Sequence, residues 1–148
     1  MEYLTTHDIV WVNNTVTGTV NRFNYVTLEA AMAAQYQYGK STDVPVQAAH
    51  LLDHLLNTPP FLAGNRRTAF ICTLTFLNAN GYATKLKDDA AAQLVLDVQQ
   101  RRRTPAEAIA ELAAPAQTPL AGGIALRKLI THECNLHVDA LKILSEGD

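Results

Sequence analysis

The chain has 148 residues, 48% of them hydrophobic and 18% charged, with a formal net charge of −2. A single domain of that size can bury a real core, and the charge balance gives no overall pull towards nucleic acid or an anionic membrane surface. No run of 18 apolar residues exists, so no membrane span is expected. The two cysteines, Cys72 and Cys134, lie far apart, which argues against a disulfide and for a reducing compartment. The opening Met-Glu-Tyr-Leu-Thr-Thr-His-Asp is polar and acidic rather than a signal peptide, so a cytoplasmic location is expected by elimination.

Thr5-Thr6-His7-Asp8, followed by Ile9, Val10 and Val12, predicts a short first helix over about 6–13. Residues 13–26 are rich in Thr, Val and Asn around Gly18 and read as a loop or a weak hairpin. Thr27 opens a second helix with Leu28, Met32 and Tyr36 on its inner stripe and Gly39 as its stop. Tyr36 and Tyr38 suit core or rim packing, with stacking on a nucleobase as the other reading. Ser41-Thr42-Asp43 caps a third helix that carries Pro45 in its first turn. Its apolar face is Val44, Ala48, Leu51, Leu52 and Leu55, while His50, Asp53, His54 and Asn57 share the other. His50 and His54 have the i, i+4 spacing of a metal pair, but with one carboxylate the set is incomplete, and a solvated face is the plainer reading.

Thr58-Pro59-Pro60 ends that helix, because residues before proline avoid the α region. The next stretch, Pro59-Pro60-Phe61-Leu62-Ala63-Gly64-Asn65-Arg66-Arg67, opens the most apolar helix of the chain, expected over about 65–80. Phe70, Leu74 and Leu77 form one row, Ala69, Cys72 and Phe76 a second, and Ile71 a third, the pattern of a helix surrounded by other helices. Gly81 supplies the positive φ of its stop. The start is odd for a buried helix. Gly64 permits close approach, Asn65 can cap, and two arginines oppose the positive end of the helix dipole. Free N–H groups, a dipole and guanidinium donors at one point describe an anion site at Gly64, Asn65, Arg66 and Arg67.

After an extended link over 82–87, Asp88 is expected to cap a helix with Ala91, Leu94, Val95 and Val98 inward. Arg101-Arg102-Arg103 then complements that helix's dipole, and without interleaved aromatic residues it is a poor nucleic-acid patch. Thr104-Pro105-Ala106-Glu107 is a capping box with proline at the first helical position, opening a helix to about residue 114. Pro115, Pro119 and Gly122-Gly123 break the chain before a helix over about 124–144. His132 and His137 are five apart, which excludes the helical zinc-protease arrangement.

The central stretch resembles the Fic/Doc family, whose motif reads His, any, Phe, any, Asp or Glu, Gly or Ala, Asn, Gly or Lys, Arg. Phe61, Gly64, Asn65 and Arg67 match it, Arg66 stands where the family has Gly or Lys, and Thr68-Ala69 follow as in the Doc branch. The likeness runs to about residue 112, over a core of about 1–114, with 115–148 as a C-terminal helical extension of the same single domain. The resemblance implies an all-α bundle around the 65–80 helix and a short flap over 13–26 that docks a protein target by strand addition. It also implies ATP or another nucleotide as cofactor and restraint by an antitoxin-like partner.

Two positions depart from the pattern. The family's histidine, which takes the proton of the target hydroxyl, falls on Pro59, and its acidic metal ligand falls on Ala63. General base catalysis contributes about 10²–10⁴-fold, and neither side chain can replace what is lost, so no catalytic residue and no metal ligand are assigned and Mg²⁺ dependence is doubtful. His54 is a conceivable substitute base. The family's inhibitory helix carries Ser or Thr four residues before Glu-Gly or Glu-Asn. The only such dipeptide here is Glu146-Gly147, with Lys142 in the earlier position, so that motif is absent. Three readings follow: a degenerate protein that keeps a phosphate-binding turn; an active nucleotidyl- or phosphoryl-transferase of toxin–antitoxin type with a non-standard base; and a structural or protein-binding module.

Overall fold

The computed structural model describes residues 1–37, 39–117 and 125–148. Among these, eight helices and one two-stranded sheet are arranged about a single helix that the others enclose. That central helix is α4 (Asn65–Ala79), in which every residue from Thr68 to Leu77 is buried. Its three apolar rows are covered by α1 (Thr6–Thr17), α3 (Val44–Asn57) and α7 (Leu126–Leu136), with α2 (Tyr25–Ala33) packed on α1 and α3. α5 (Asp88–Gln99), α6 (Pro105–Leu112) and α8 (Val138–Leu144) complete the bundle. The all-α architecture around the 65–80 segment is therefore present as the sequence predicts. Ile130, Ala140 and Leu144 join the same core cluster as Phe70 and Leu74, so the segment after residue 125 is part of one core.

Several boundaries differ from the sequence reading. No hairpin forms around Gly18. α1 continues to Thr17, and Gly18, at φ +71°, is its left-handed C-cap, its N–H donating to the Asn14 carbonyl. The β-branched run Thr15-Val16-Thr17 is helical, with the Thr15 and Thr17 hydroxyls donating to the carbonyls four residues back. What remains of the flap is one bridge between Phe23 and Phe61, flanked by Asn24 N–H to the Pro60 carbonyl and Leu62 N–H to the Arg22 carbonyl. α2 begins two residues early, because Asn24 accepts from the Thr27 N–H, and it stops at Ala33, well short of Gly39. Tyr38 lies outside the described residues, as do 118–124, which hold Pro119 and the Gly122-Gly123 pair.

α3 starts as expected, with Asp43 accepting from the Val46 N–H and Pro45 in the first turn. Asp88 does not cap α5. Lys87 holds that position without a side-chain bond, and Asp88 instead reaches His137 and the Ala140 N–H. α6 opens on the expected Thr104 cap, whose hydroxyl accepts from the Glu107 N–H and donates to the Glu107 carboxylate, so the reciprocal bond of a capping box is not formed, and it ends at Leu112, where Ala113–Pro115 becomes β2 and pairs antiparallel with β1 (Tyr82–Thr84). The last helix is two helices, because His137 sits at the α7–α8 junction at φ −111°.

Candidate functional site

The turn that enters α4 is fixed by backbone and amide chemistry. Gly64 is the N-cap in the left-handed region at φ +81°. A Cβ there would collide with the Thr17 methyl and stand 3.0 Å from Asn13 Nδ2. The glycine thus serves the close approach of α1 to α4. Asn65 does not cap the helix. Its Oδ1 accepts from the Phe61 N–H at 3.0 Å and its Nδ2 donates to the Phe61 carbonyl at 2.8 Å, locking residues 61–65 into a closed loop. Asn13, fully buried, holds the same loop from α1 by donating to the Ala63 carbonyl at 2.9 Å and to Thr68 Oγ1 at 3.1 Å.

With the side chain of Asn65 turned back into the loop, the N–H groups of Arg66 and Arg67 point out of the helix end. Both end on one carboxylate. Asp148 Oδ1 accepts from the Arg66 N–H at 2.9 Å, and Oδ2 accepts from the Arg67 N–H at 3.2 Å and from Arg67 Nε at 3.0 Å. Arg66 Nε stands 3.9 Å away, and its guanidinium also donates to the Glu146 carbonyl. Arg67 is aimed from the other side, donating to the Val16 carbonyl near the end of α1 at 3.1 Å. The Asp148 carboxylate is 4% exposed and the two arginine side chains 14% and 16%. A carboxylate at a helix N-terminus is favoured by the dipole and by charge-assisted bonds. It also offsets the two arginines that the dipole alone would repel.

Of the expected site residues, Arg66 and Arg67 converge on the anion through backbone and side chain, whereas Gly64 and Asn65 shape the turn. Asn13, Val16 and Asp148 escaped the sequence reading: none belongs to a motif, and their separations of 50 to 82 residues from their partners carry no periodic signal. The segment Glu146-Gly147 does reach this turn, through a carbonyl rather than the Glu146 side chain. His54 makes no hydrogen bond or ion pair with residues 59–67 among the described residues, while His50 and Asp53 line a small cleft beside Thr104–Ala106. No group of three or more His, Cys, Asp or Glu among the described residues is arranged to hold a metal.

The donor set does not suit a magnesium ion at the family's position. Ala63 offers no carboxylate, and its carbonyl is already engaged by Asn13. The turn does suit an anion, since Asp148 shows two backbone N–H groups and a guanidinium reaching the same pair of oxygens.

A second polar cluster lies at the far end of α4. His137 Nδ1 is 2.7 Å from Asp88 Oδ1, and Nε2 is 3.1 Å from Glu133 Oε2, an ion-pair distance although off-line for a hydrogen bond. Asn78 donates to the other Glu133 oxygen, and the Phe70 ring meets the imidazole edge-on at 5.7 Å. The neighbouring Glu133 carboxylate raises the His137 pKa above the ordinary value, against the opposing effect of burial and with help from Asp88.

An all-α bundle with a glycine–asparagine–arginine turn opening its central helix defines a class of protein, and comparison of the sequence agrees. The family model of the Fic/DOC family matches residues 4–77, half of the chain, and the chain belongs to that family. No curated protein and no solved structure is significantly similar to it.

Proposed function

We propose that this Fic/Doc-family chain is an anion-binding protein with impaired chemistry, which holds a phosphate-bearing ligand such as a nucleotide at the start of α4. The observation that carries the reading is the seat of the Asp148 carboxylate on the Arg66 and Arg67 N–H groups and Arg67 Nε. Those donors match a phosphoryl oxygen pair as well as a carboxylate pair. The side chains at Pro59 and Ala63 supply neither a proton acceptor nor a metal ligand. Phosphoryl and nucleotidyl transfer depend on positioning, charge neutralisation and activation of the attacking hydroxyl, and the turn supplies only the first two, through its two arginines.

A second reading is favoured by the same cluster. Two arginines satisfied by Asp148, Glu146 and Val16 form a staple between α1, α4 and the turn after α8, which suits a structural or protein-binding module. Calorimetric titration separates the two. ATP and GTP are titrated with and without Mg²⁺ into the wild type and Arg67→Ala. Metal-independent binding that weakens at least tenfold in Arg67→Ala supports the anion-binding reading. No binding at millimolar nucleotide, about −4 kcal/mol or weaker, leaves the structural one. Transfer of label from ATP or GTP to a protein hydroxyl by the wild type would overturn the impairment.

A further inference from the structure

We infer that a cleft on the outer face of α1, separate from the α4 turn, is a binding site for a small aromatic carboxylate. The cleft has a volume of about 410 Å³ and lies between α1, the start of α2 and the first turn of α7. Ligand pockets of that size usually have apolar walls and a few placed polar groups.

The walls follow from the helix faces. Ile9, Val12 and Asn13 bury the inner side of α1, so Val10, Trp11 and Asn14 are left on its outer flank, where they line the cleft. Phe23, Tyr25 and Leu28 face them from the other side. Leu28 is buried, while Phe23 and Tyr25 remain 42% and 59% exposed. Phe23 is held in place by its bridge to Phe61 and by the edge-on contact of the two rings at 5.9 Å. Three aromatic side chains around one open cleft suit a flat apolar body.

The charge comes from Arg127. Its guanidinium stands 5.0 Å from the centroid of the Trp11 ring, and its Nε donates to Asp8 Oδ1 at 3.0 Å. The buried Asp8 is itself fixed by the Thr5 N–H and hydroxyl, so the arginine is aimed by its two contacts. Among the described residues, the Nε bond is the only hydrogen bond of the Arg127 side chain. The rest of its planar fork of donors is left for a carboxylate. No Asp or Glu is among the residues that line the cleft, so its lining offers a cation and no competing acid. One guanidinium balances one negative charge, whereas a phosphate monoester brings nearly two. A monocarboxylate on an aromatic body therefore matches both the walls and the charge.

Trp11 is the one tryptophan of the chain, so its fluorescence reports the cleft directly. The full chain is titrated with 3-phenylpropionate and with its uncharged amide, 3-phenylpropionamide. Wild type, Arg127→Gln and Tyr25→Ala are compared, each checked for native helicity. In wild type the acid should saturate and bind about tenfold tighter than the amide, because a hydrogen bond to a charged partner is stronger than one to a neutral partner. Arg127→Gln should erase that preference. Tyr25→Ala, at an exposed side chain, should weaken both ligands alike. The acid–amide comparison in wild type and Tyr25→Ala decides the matter even where Arg127→Gln fails to fold. No saturable signal in wild type at millimolar acid, equal affinity for acid and amide, or binding untouched by Tyr25→Ala would each overturn the proposal. Displacement of the acid by inorganic pyrophosphate would move it to the α4 turn and overturn the proposal as well. A wild type that sediments as a dimer, and as a monomer in Tyr25→Ala, would give the cleft to a second copy of the chain, with the same result.

Discussion

Gly64 shows how one missing side chain positions the site. At φ +81°, with the Thr17 methyl where a Cβ would lie, Gly64→Ala combines backbone strain with overpacking and should destabilise the fold by about 2–4 kcal/mol, read from denaturant unfolding. Asn13 acts on the same loop from the opposite side. Asn13→Ala removes the donor to the Ala63 carbonyl and to Thr68 Oγ1, and the acceptor for Asn21 Nδ2. Its expected cost is about 1–3 kcal/mol, with weakened anion binding because the Arg66 and Arg67 N–H groups lose their fixed direction. The cysteines differ in a way a reagent can read. Cys72 is buried in α4, while burial and the neighbouring Glu133 push the half-buried Cys134 thiol up to about 11, so alkylation of the folded chain at neutral pH should be slow at both.

At the scale of elements, α4 is the part most legible in the sequence. Its three apolar rows, its Asn-Gly stop and the small residue at its entry all predict a helix buried on every side, and it runs from Asn65 to Ala79. The Thr104 cap of α6, with Pro105 after it, and the Asp43 cap of α3 were readable for the same reason, since local chemistry decides them. Elements decided by distant partners were not. Asp88 looks like a cap in sequence but is drawn to His137 and Ala140, 49 and 52 residues away. Ala113–Pro115 reads as the end of a helix until β1 is there to pair with it. Among the described residues, the buried hydroxyls of Thr73 and Thr75 in α4 have no hydrogen-bond partner, which helix periodicity cannot show. Thr75→Val keeps the shape while removing an unsatisfied polar group and should raise stability by about 1 kcal/mol.

Across the whole molecule, two ion clusters tie the last two helices to the rest and give stability a pH dependence of opposite sense at its two ends. Burial pushes the Asp8 carboxyl up, but bonds from the Thr5 N–H, the Arg127 guanidinium and the Thr5 hydroxyl outweigh it, so its pKa is lowered on folding. The stability this adds is present above the unfolded value of about 3.9 and is lost as pH falls through the folded one. His137 is raised on folding, so its contribution is complete below the unfolded value of about 6.5 and is lost as pH rises through the folded one. Unfolding free energy should therefore decline as pH rises above about 6.5, and that decline should vanish in His137→Gln. A wild-type curve flat over the range would contradict the His137–Glu133–Asp88 clamp. The wiring that brings Asp148 to the α4 turn belongs to this scale too. It needs α7 and α8 folded back over α4 and α5, and no local pattern in the sequence announces it.

The most direct measurement is amide ¹⁵N NMR of Asp148→Ala during titration with ATP in the absence of divalent metal. If the start of α4 is the phosphate site, the Arg66 and Arg67 amide resonances shift first and furthest, in step with the Arg67 Nε resonance. The same titration with Arg67→Ala added to Asp148→Ala should leave the amides of positions 66 and 67 nearly still. Shifts confined to other surfaces, or none at millimolar ATP in a folded variant, would contradict the account.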